Sequence, residues 1–131
     1  MKALVTGGAG FIASHLGDCL VRSGYDVVGI DVSDDTKRID HLIDCDSFEY
    51  HKADVNNIDD LTEVSRGCDF IFHLASNSDS RSGYEDPNID FENTFRTTKT
   101  VLDVMNRNKI KNLFFSSTSA VYGDKPGINL K

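Results

Sequence analysis

Val5-Thr6-Gly7-Gly8-Ala9-Gly10-Phe11-Ile12-Ala13-Ser14-His15-Leu16 is a glycine-rich segment set between an apolar opening, Met1 to Val5, and a helical pattern. Those residue types at that spacing suit a phosphate cradle. Gly7 lets the chain leave a strand in a conformation other residues disfavour. Gly10 removes the side chain that would hold backbone away from a pyrophosphate, and Ala13 fills a position that must be small for close helix packing. The amide N–H groups of the first helical turn and the positive end of the helix dipole converge on the same spot, so an anion binds there without a dedicated basic side chain. Such turns also join strands to helices for purely structural reasons, and it is Asp31 that adds weight to the ligand reading. It closes a second apolar run, Asp26-Val27-Val28-Gly29-Ile30, 21 residues after Gly10. A carboxylate there accepts hydrogen bonds from an adenosine ribose and repels a 2′-phosphate, which selects NAD over NADP.

The elements that must position these residues alternate between strand and helix, the pattern of a parallel sheet covered on both faces. Strands are predicted at 2–6, 26–30, 48–52, 70–74 and 112–115. Between the first two lies a helix from Phe11 to Ser23, with Ile12, Leu16, Leu20 and Val21 on one face and Gly24 as its stop. The polar stretch Val32 to Arg38 is too charged for the core and reads as a loop near the adenosine, its acids solvated, and Ile39 to Ile43 reads as a short helix. Asn57 or Asp59 caps a helix carrying Ile58, Leu61 and Val64, which Gly67 ends. A long helix is predicted from Pro87 to Asn108, where Phe91, Phe95, Val101, Leu102 and Met105 recur at helical spacing. The implied fold is α/β, a Rossmann-type doubly wound parallel sheet of about five strands in the order 3-2-1-4-5, forming one domain over residues 1–131.

Composition fits that fold. A chain of 131 residues with 39% hydrophobic content is long enough for a real core. No apolar run approaches the roughly 20 residues of a membrane span, and the N-terminus has no signal-sequence pattern, so a cytoplasmic protein with no membrane partner is expected. The net charge of −7 argues against a nucleic-acid partner. Cys19, Cys45 and Cys68 are widely spaced and form no Cys-x-x-Cys pair, which points to buried thiols rather than a disulfide framework or zinc site. His41 and His51 have no partners at metal-ligand spacing, and no metal is expected. His15 reads as a packing residue, and His73, inside an apolar strand end, as a histidine satisfied by backbone. Asp31, Asp34 and Asp35 lack a calcium-loop pattern.

From Lys2 to about Asp124 the chain resembles the extended short-chain dehydrogenase/reductase group, specifically the NAD-dependent sugar-nucleotide epimerases and dehydratases. The family's Thr-Gly-Gly-x-Gly-Phe-Ile-Gly-Ser-His is similar to Thr6 to His15, with Ala13 the one departure, and its strand-two acid to Asp31. Its Asp-Ile/Val pair, which meets the adenine, is matched by Asp54-Val55, and its His-x-Ala-Ala by His73-Leu74-Ala75-Ser76. Asp79, Arg81 and Asp86-Pro87 fall where many epimerase-like members carry the same types. Asn93 with Thr97 resembles the family's Asn-x-x-Gly-Thr, with Arg96 in place of the glycine. The resemblance thus implies cofactor contacts at Gly7, Gly10, Phe11, Ile12 and Asp31, at Asp54 and Val55, along the backbone of Leu74, Ala75 and Ser76, and at Asn93 and Ser116. The segment Phe115-Ser116-Ser117-Thr118-Ser119-Ala120-Val121-Tyr122-Gly123-Asp124 is similar to the one holding the family's active-site Ser or Thr, a slot filled by Thr118. A hydroxyl there would hydrogen-bond the sugar hydroxyl being oxidised and orient its proton toward a base.

The family's proton-transfer pair is a Tyr and a Lys four residues apart. Tyr25, Tyr50, Tyr84 and Tyr122 are followed at that distance by Gly29, Asp54, Asn88 and Pro126. The chain is therefore expected to be the N-terminal cofactor-binding part of a longer enzyme, inactive alone, with the Tyr-Lys helix and a C-terminal sugar-nucleotide domain beyond it. The resemblance implies NAD-dependent epimerisation of a UDP- or dTDP-sugar through a transient keto intermediate, close to a UDP-glucose 4-epimerase, and admits a homodimer. The alternatives are a non-catalytic NAD-binding sensor or scaffold module, or a sugar-nucleotide dehydratase. Family dehydratases place Asp-Glu right after the active-site Thr, and sugar-acid decarboxylases place Glu at the second position, where this chain has Ser119-Ala120.

Overall fold

In the computed structural model, which describes residues 1–123, each apolar run becomes a strand because turn residues bound it. The strands are β1 (Lys2–Thr6), β2 (Asp26–Asp31), β3 (Phe48–Lys52), β4 (Phe70–His73) and β5 (Asn112–Phe115). They form one parallel sheet in the order β3-β2-β1-β4-β5, as the strand–helix alternation predicts. Side chains alternate across it. Ala3, Val5 and Val27 face α1 (Phe11–Arg22) and α2 (Asp40–Ile43), while Leu4, Val28, Ile30 and Ile71 face α3 (Ile58–Val64) and α6 (Thr97–Asn108). Fully buried Leu61, Val101 and Val104 anchor the second layer, each contributing about 1.5–3 kcal/mol by leaving water.

Several boundaries differ from the sequence reading. On α1 the buried positions are Ala13, Ser14, Gly17 and Leu20, whereas Ile12 is 67% exposed. Small residues let the helix lie close, and a Cβ at Gly17 would stand 2.9 Å from Leu42 Cδ1. Strand β4 stops at His73 because the next amides, of Leu74 and Ala75, turn from the ladder to the Thr6 hydroxyl, both at 3.1 Å. Polar residues with no apolar period form α4 (Ser80–Glu85), which Asp79 caps by accepting from the Arg81 amide. The single long helix predicted over 87–108 is instead three pieces: α5 (Pro87–Asp90), capped by Asp86, a π-helical turn at Phe91–Arg96, and α6. That turn shifts the phase of the apolar pattern, so Phe91, Phe95 and Leu102 are exposed while Val101 and Met105 stay in the core. Arg96 points outward and pairs with Glu92 at 2.6 Å, which is how the turn accommodates it where the family carries glycine. The cysteines divide: Cys68 is buried, Cys45 half-buried and Cys19 exposed, because Cys19 lies off the buried stripe of α1. No helix among the described residues is long and apolar enough to cross a membrane.

Candidate functional site

Strand order reverses beside β1: the chain winds outward to β2 and β3 on one side and to β4 and β5 on the other. The loops leaving the carboxyl ends of β1 and β4 therefore separate and open a crevice, the usual ligand position in such sheets. A cavity of about 700 Å³ occupies it, within the size range of small-molecule sites. All five strand ends supply walls. Gly7, Gly10, Phe11 and Ile12 come from the turn after β1, Asp31 from the end of β2, and Asp54 with Val55 from the loop after β3. Leu74, Ala75 and Ser76 follow β4, Ser116 follows β5, and Asn93 reaches the cavity from the π turn.

The glycine turn is shaped as its sequence demands. Gly7 has φ +70°, and a Cβ there would stand 3.0 Å from the Ala75 amide nitrogen, so the position is closed to side chains. Gly8 lies against β2, where its Cβ would be 2.9 Å from Gly29 Cα, a close approach the sequence reading did not single out. Gly10 caps α1 in an extended conformation open to any residue, φ −70° and ψ 164°, and it leaves empty the space a Cβ would fill 3.0 Å from the Gly7 carbonyl. No capping side chain meets the start of α1 and its first turn carries no acid, so its amides and dipole remain available to an anionic ligand.

Asp31 is held in place by two backbone donors. Its Oδ2 accepts from the Ala9 amide at 3.1 Å and its Oδ1 from the Ser33 amide at 3.0 Å. Each carboxylate oxygen keeps a second lone pair for a ribose hydroxyl. The Tyr50 hydroxyl donates to the Ser33 carbonyl at 2.7 Å, and burial, followed by the Asp31 and Asp34 charges, holds this phenol up at about 12, so it remains a donor. Asp34 itself pairs with Lys52 at the surface. The charged loop is thus tied to β3 rather than merely solvated.

His73 is 2% exposed, and its partners are side chains, not the backbone expected from sequence. Thr6 Oγ1 uses both lone pairs on the Leu74 and Ala75 amides, so its proton goes to His73 Nδ1 at 2.7 Å. Thr98 Oγ1 gives its proton to the Thr94 carbonyl at 2.7 Å and accepts from His73 Nε2–H at 3.1 Å. The ring is therefore neutral and carries its hydrogen on Nε2. Burial lowers its pKa from 6.5 to about 4. Between those values the unfolded chain binds a proton that the folded chain refuses, so stability falls as pH drops through this window, by at most about 3 kcal/mol below it. Urea midpoints at pH 7 and pH 4.5 are expected to differ less in His73→Gln than in the wild type, and equal differences would refute this account.

Thr118 follows β5 and is exposed, and its carbonyl accepts from the Val121 amide in a short turn over 119–122. It lies two residues past Ser116 and does not border the cavity. Asp124, which ends the resembling segment, lies outside the described residues. Val32, Asn77, Ser78 and Thr97 border the cavity without having been singled out as contacts. Val32 had a signal: it is an apolar residue opening the charged stretch expected to lie near the adenosine. No cluster of metal-ligating side chains is found among the described residues; His15 lies edge-on to Phe11, while His41 and His51 pair with Asp18 and Glu49.

A glycine turn at a strand-to-helix junction, an acid ending the next strand and a cavity at the reversal of an open parallel sheet define a Rossmann-type dinucleotide-binding fold. The chain belongs to the NAD dependent epimerase/dehydratase family, whose family model matches residues 3–131, and NAD is the cofactor of that family. It is 32% identical to Protein CapI of Staphylococcus aureus over 131 residues, covering 94% of this chain and 39% of that protein. It is 35% identical to a UDP-glucose 4-epimerase of Corynebacterium glutamicum, covering 95% of this chain and 37% of that one. Among solved structures, the UDP-glucuronic acid 4-epimerase of Bacillus cereus, crystallised with UDP-glucuronic acid and NAD, superposes with a TM-score of 0.89 at 34% identity, over 100% of this chain and 44% of that one. The chain thus spans about two-fifths of the length of the curated relatives it matches.

Proposed function

We propose that this chain is the NAD-binding part of a nucleotide-sugar epimerase that inverts a UDP- or dTDP-sugar at C4, after the manner of a UDP-glucose 4-epimerase. The observation that carries the reading is that the open start of α1 and the Asp31 carboxylate line one cavity, the two features that a dinucleotide's pyrophosphate and adenosine ribose require. The epimerase names of its relatives support the reaction class. Gly7 and Gly10 bring backbone amides to the pyrophosphate, and Asp31 accepts the ribose hydroxyls. Asp54 and Val55 bound the adenine end, while Leu74, Ala75, Ser76, Asn93 and Ser116 hold the remainder of the cofactor. When bound, NAD supplies a reversible oxidation of the sugar carbon. Thr118 orients the sugar hydroxyl, and the proton-transfer pair comes from outside these residues.

The test is cofactor choice. A 2′-phosphate facing Asp31 meets a like charge and forfeits the ribose hydrogen bonds, which together cost about 1–3 kcal/mol at a half-buried site. Titration calorimetry is expected to show NAD binding about tenfold or more tighter than NADP. Asp31→Asn, which keeps an acceptor for the Ala9 amide but loses the charge, narrows that ratio. Equal affinities of the wild type for both cofactors would sink the assignment.

A further inference from the structure

The His73 ring joins three walls of the cavity. On one side it accepts from Thr6, whose hydroxyl also fixes the Leu74 and Ala75 amides. On another it donates to Thr98, which is bonded in turn to the Thr94 carbonyl within the π turn. Its face stacks at 6.0 Å on Phe115, the residue before Ser116. The circuit closes where Thr94 Oγ1 accepts from the Asn77 amide at 3.1 Å. The backbone of residues 74–77 is therefore gripped at its start by the hydroxyl on β1 and at its end by the hydroxyl on the π turn, with one imidazole between them.

A π turn leaves its backbone out of register with the helix around it and persists only where other contacts hold it. Here Asn56 Nδ2 donates to the Glu92 carbonyl at 3.1 Å from the α3 side, and Thr98 engages the Thr94 carbonyl from the sheet side. Asn93 lies between those two anchored carbonyls and borders the cavity. Because the Thr6 and Thr98 hydroxyls each have their single proton committed, the bonds from Thr6 through His73 to Thr98 run in one direction only, which fixes the ring's orientation and the separation of the two walls.

We propose that His73 and Thr98 are positioning residues for the cofactor: the neutral imidazole locks the turn after β4 to the π turn, so that Leu74 to Ser76 and Asn93 present one preformed surface to the dinucleotide. This rests on the reading of the cavity as the NAD site. Thr98→Val keeps the shape of the side chain but removes both the acceptor for His73 Nε2–H and the donor to Thr94. Thr98→Ser keeps both.

The experiment combines NAD calorimetry with histidine-selective ¹⁵N spectroscopy on the same samples. In the wild type the His73 ring is expected to show the neutral Nε2–H pattern. Thr98→Val is expected to weaken NAD binding about tenfold, as for the loss of one buried hydrogen bond, and to disturb that pattern, while Thr98→Ser restores both. Thr94→Val, which removes only the acceptor for the Asn77 amide, gives a second route to the same loss should Thr98→Val not fold. A wild type that binds NAD with Nδ1–H as its ring pattern, or variants that bind as tightly as the wild type, would overturn the positioning role alone. A wild type that binds no NAD would overturn the reading of the cavity and the positioning role with it.

Discussion

Gly10→Val is expected to abolish NAD binding, by at least about a hundredfold or roughly 2.7 kcal/mol, while the chain remains folded. The two halves of that expectation come from different properties of the residue. Its backbone, at φ −70° and ψ 164°, lies where a β-branched residue is at ease, so the substitution brings no conformational strain. Its Cβ would meet only the Gly7 carbonyl, at 3.0 Å, a close contact that a shift of a few tenths of an ångström relieves, and the branched side chain would take up space at the start of α1, where a pyrophosphate must approach the free amides. Gly7 could not serve for the same test. Its φ of +70° and its approach to Ala75 would make any replacement a folding defect first and a binding defect second. Calorimetry with NAD, alongside circular dichroism and a thermal melt, separates the two. Retained affinity in a folded Gly10→Val would place the nucleotide elsewhere.

The parts of this site that could be read from sequence are those where a local constraint and the ligand ask for the same residue. Gly7 is needed by a left-handed turn and also by a phosphate, and Asp31 both ends a strand and accepts a ribose, so each leaves a spacing that can be measured along the chain. Strands β1, β2 and β4 are equally plain, since a strand buried on both faces is a short apolar run between turn residues. What was hidden depends on contacts distant in sequence. Helix α4 has no apolar stripe; it rests on the Asp79 cap and on the Asn77 amide group, which reaches the Asp79 carbonyl and the Asp90 carboxylate. The π turn was invisible for a related reason. Phe91 and Phe95 continue a helical period, and the extra residue that turns them outward is held by Asn56, 36 positions earlier, and by Thr98. Val32, Asn77 and Ser78 border the cavity through the path of their loops, which no periodicity encodes.

In the longer protein of which this chain is proposed to be the cofactor-binding part, Thr118→Val is expected to lower turnover of a UDP- or dTDP-sugar by about 10²–10⁴ while leaving NAD affinity unchanged. The separation follows from where the residue stands. Ser116 borders the cavity and Thr118 does not, so a change at Thr118 leaves the walls proposed to hold the cofactor intact. There it can orient a substrate hydroxyl without contributing to dinucleotide binding, and valine preserves its shape while removing the donor and acceptor. The isolated 131-residue chain is expected to bind NAD but show no turnover, because none of its tyrosines is followed four residues later by a lysine that could lower its pKa. Sugar-nucleotide chromatography across a panel of donors, with NAD calorimetry beside it, run on the longer protein, its Thr118→Val variant and the isolated chain, checks both turnover and cofactor binding. Turnover by the isolated chain would show that the base lies within these residues after all. A longer protein that binds NAD tightly yet converts no donor would point instead to a binding module that uses the same cradle without chemistry.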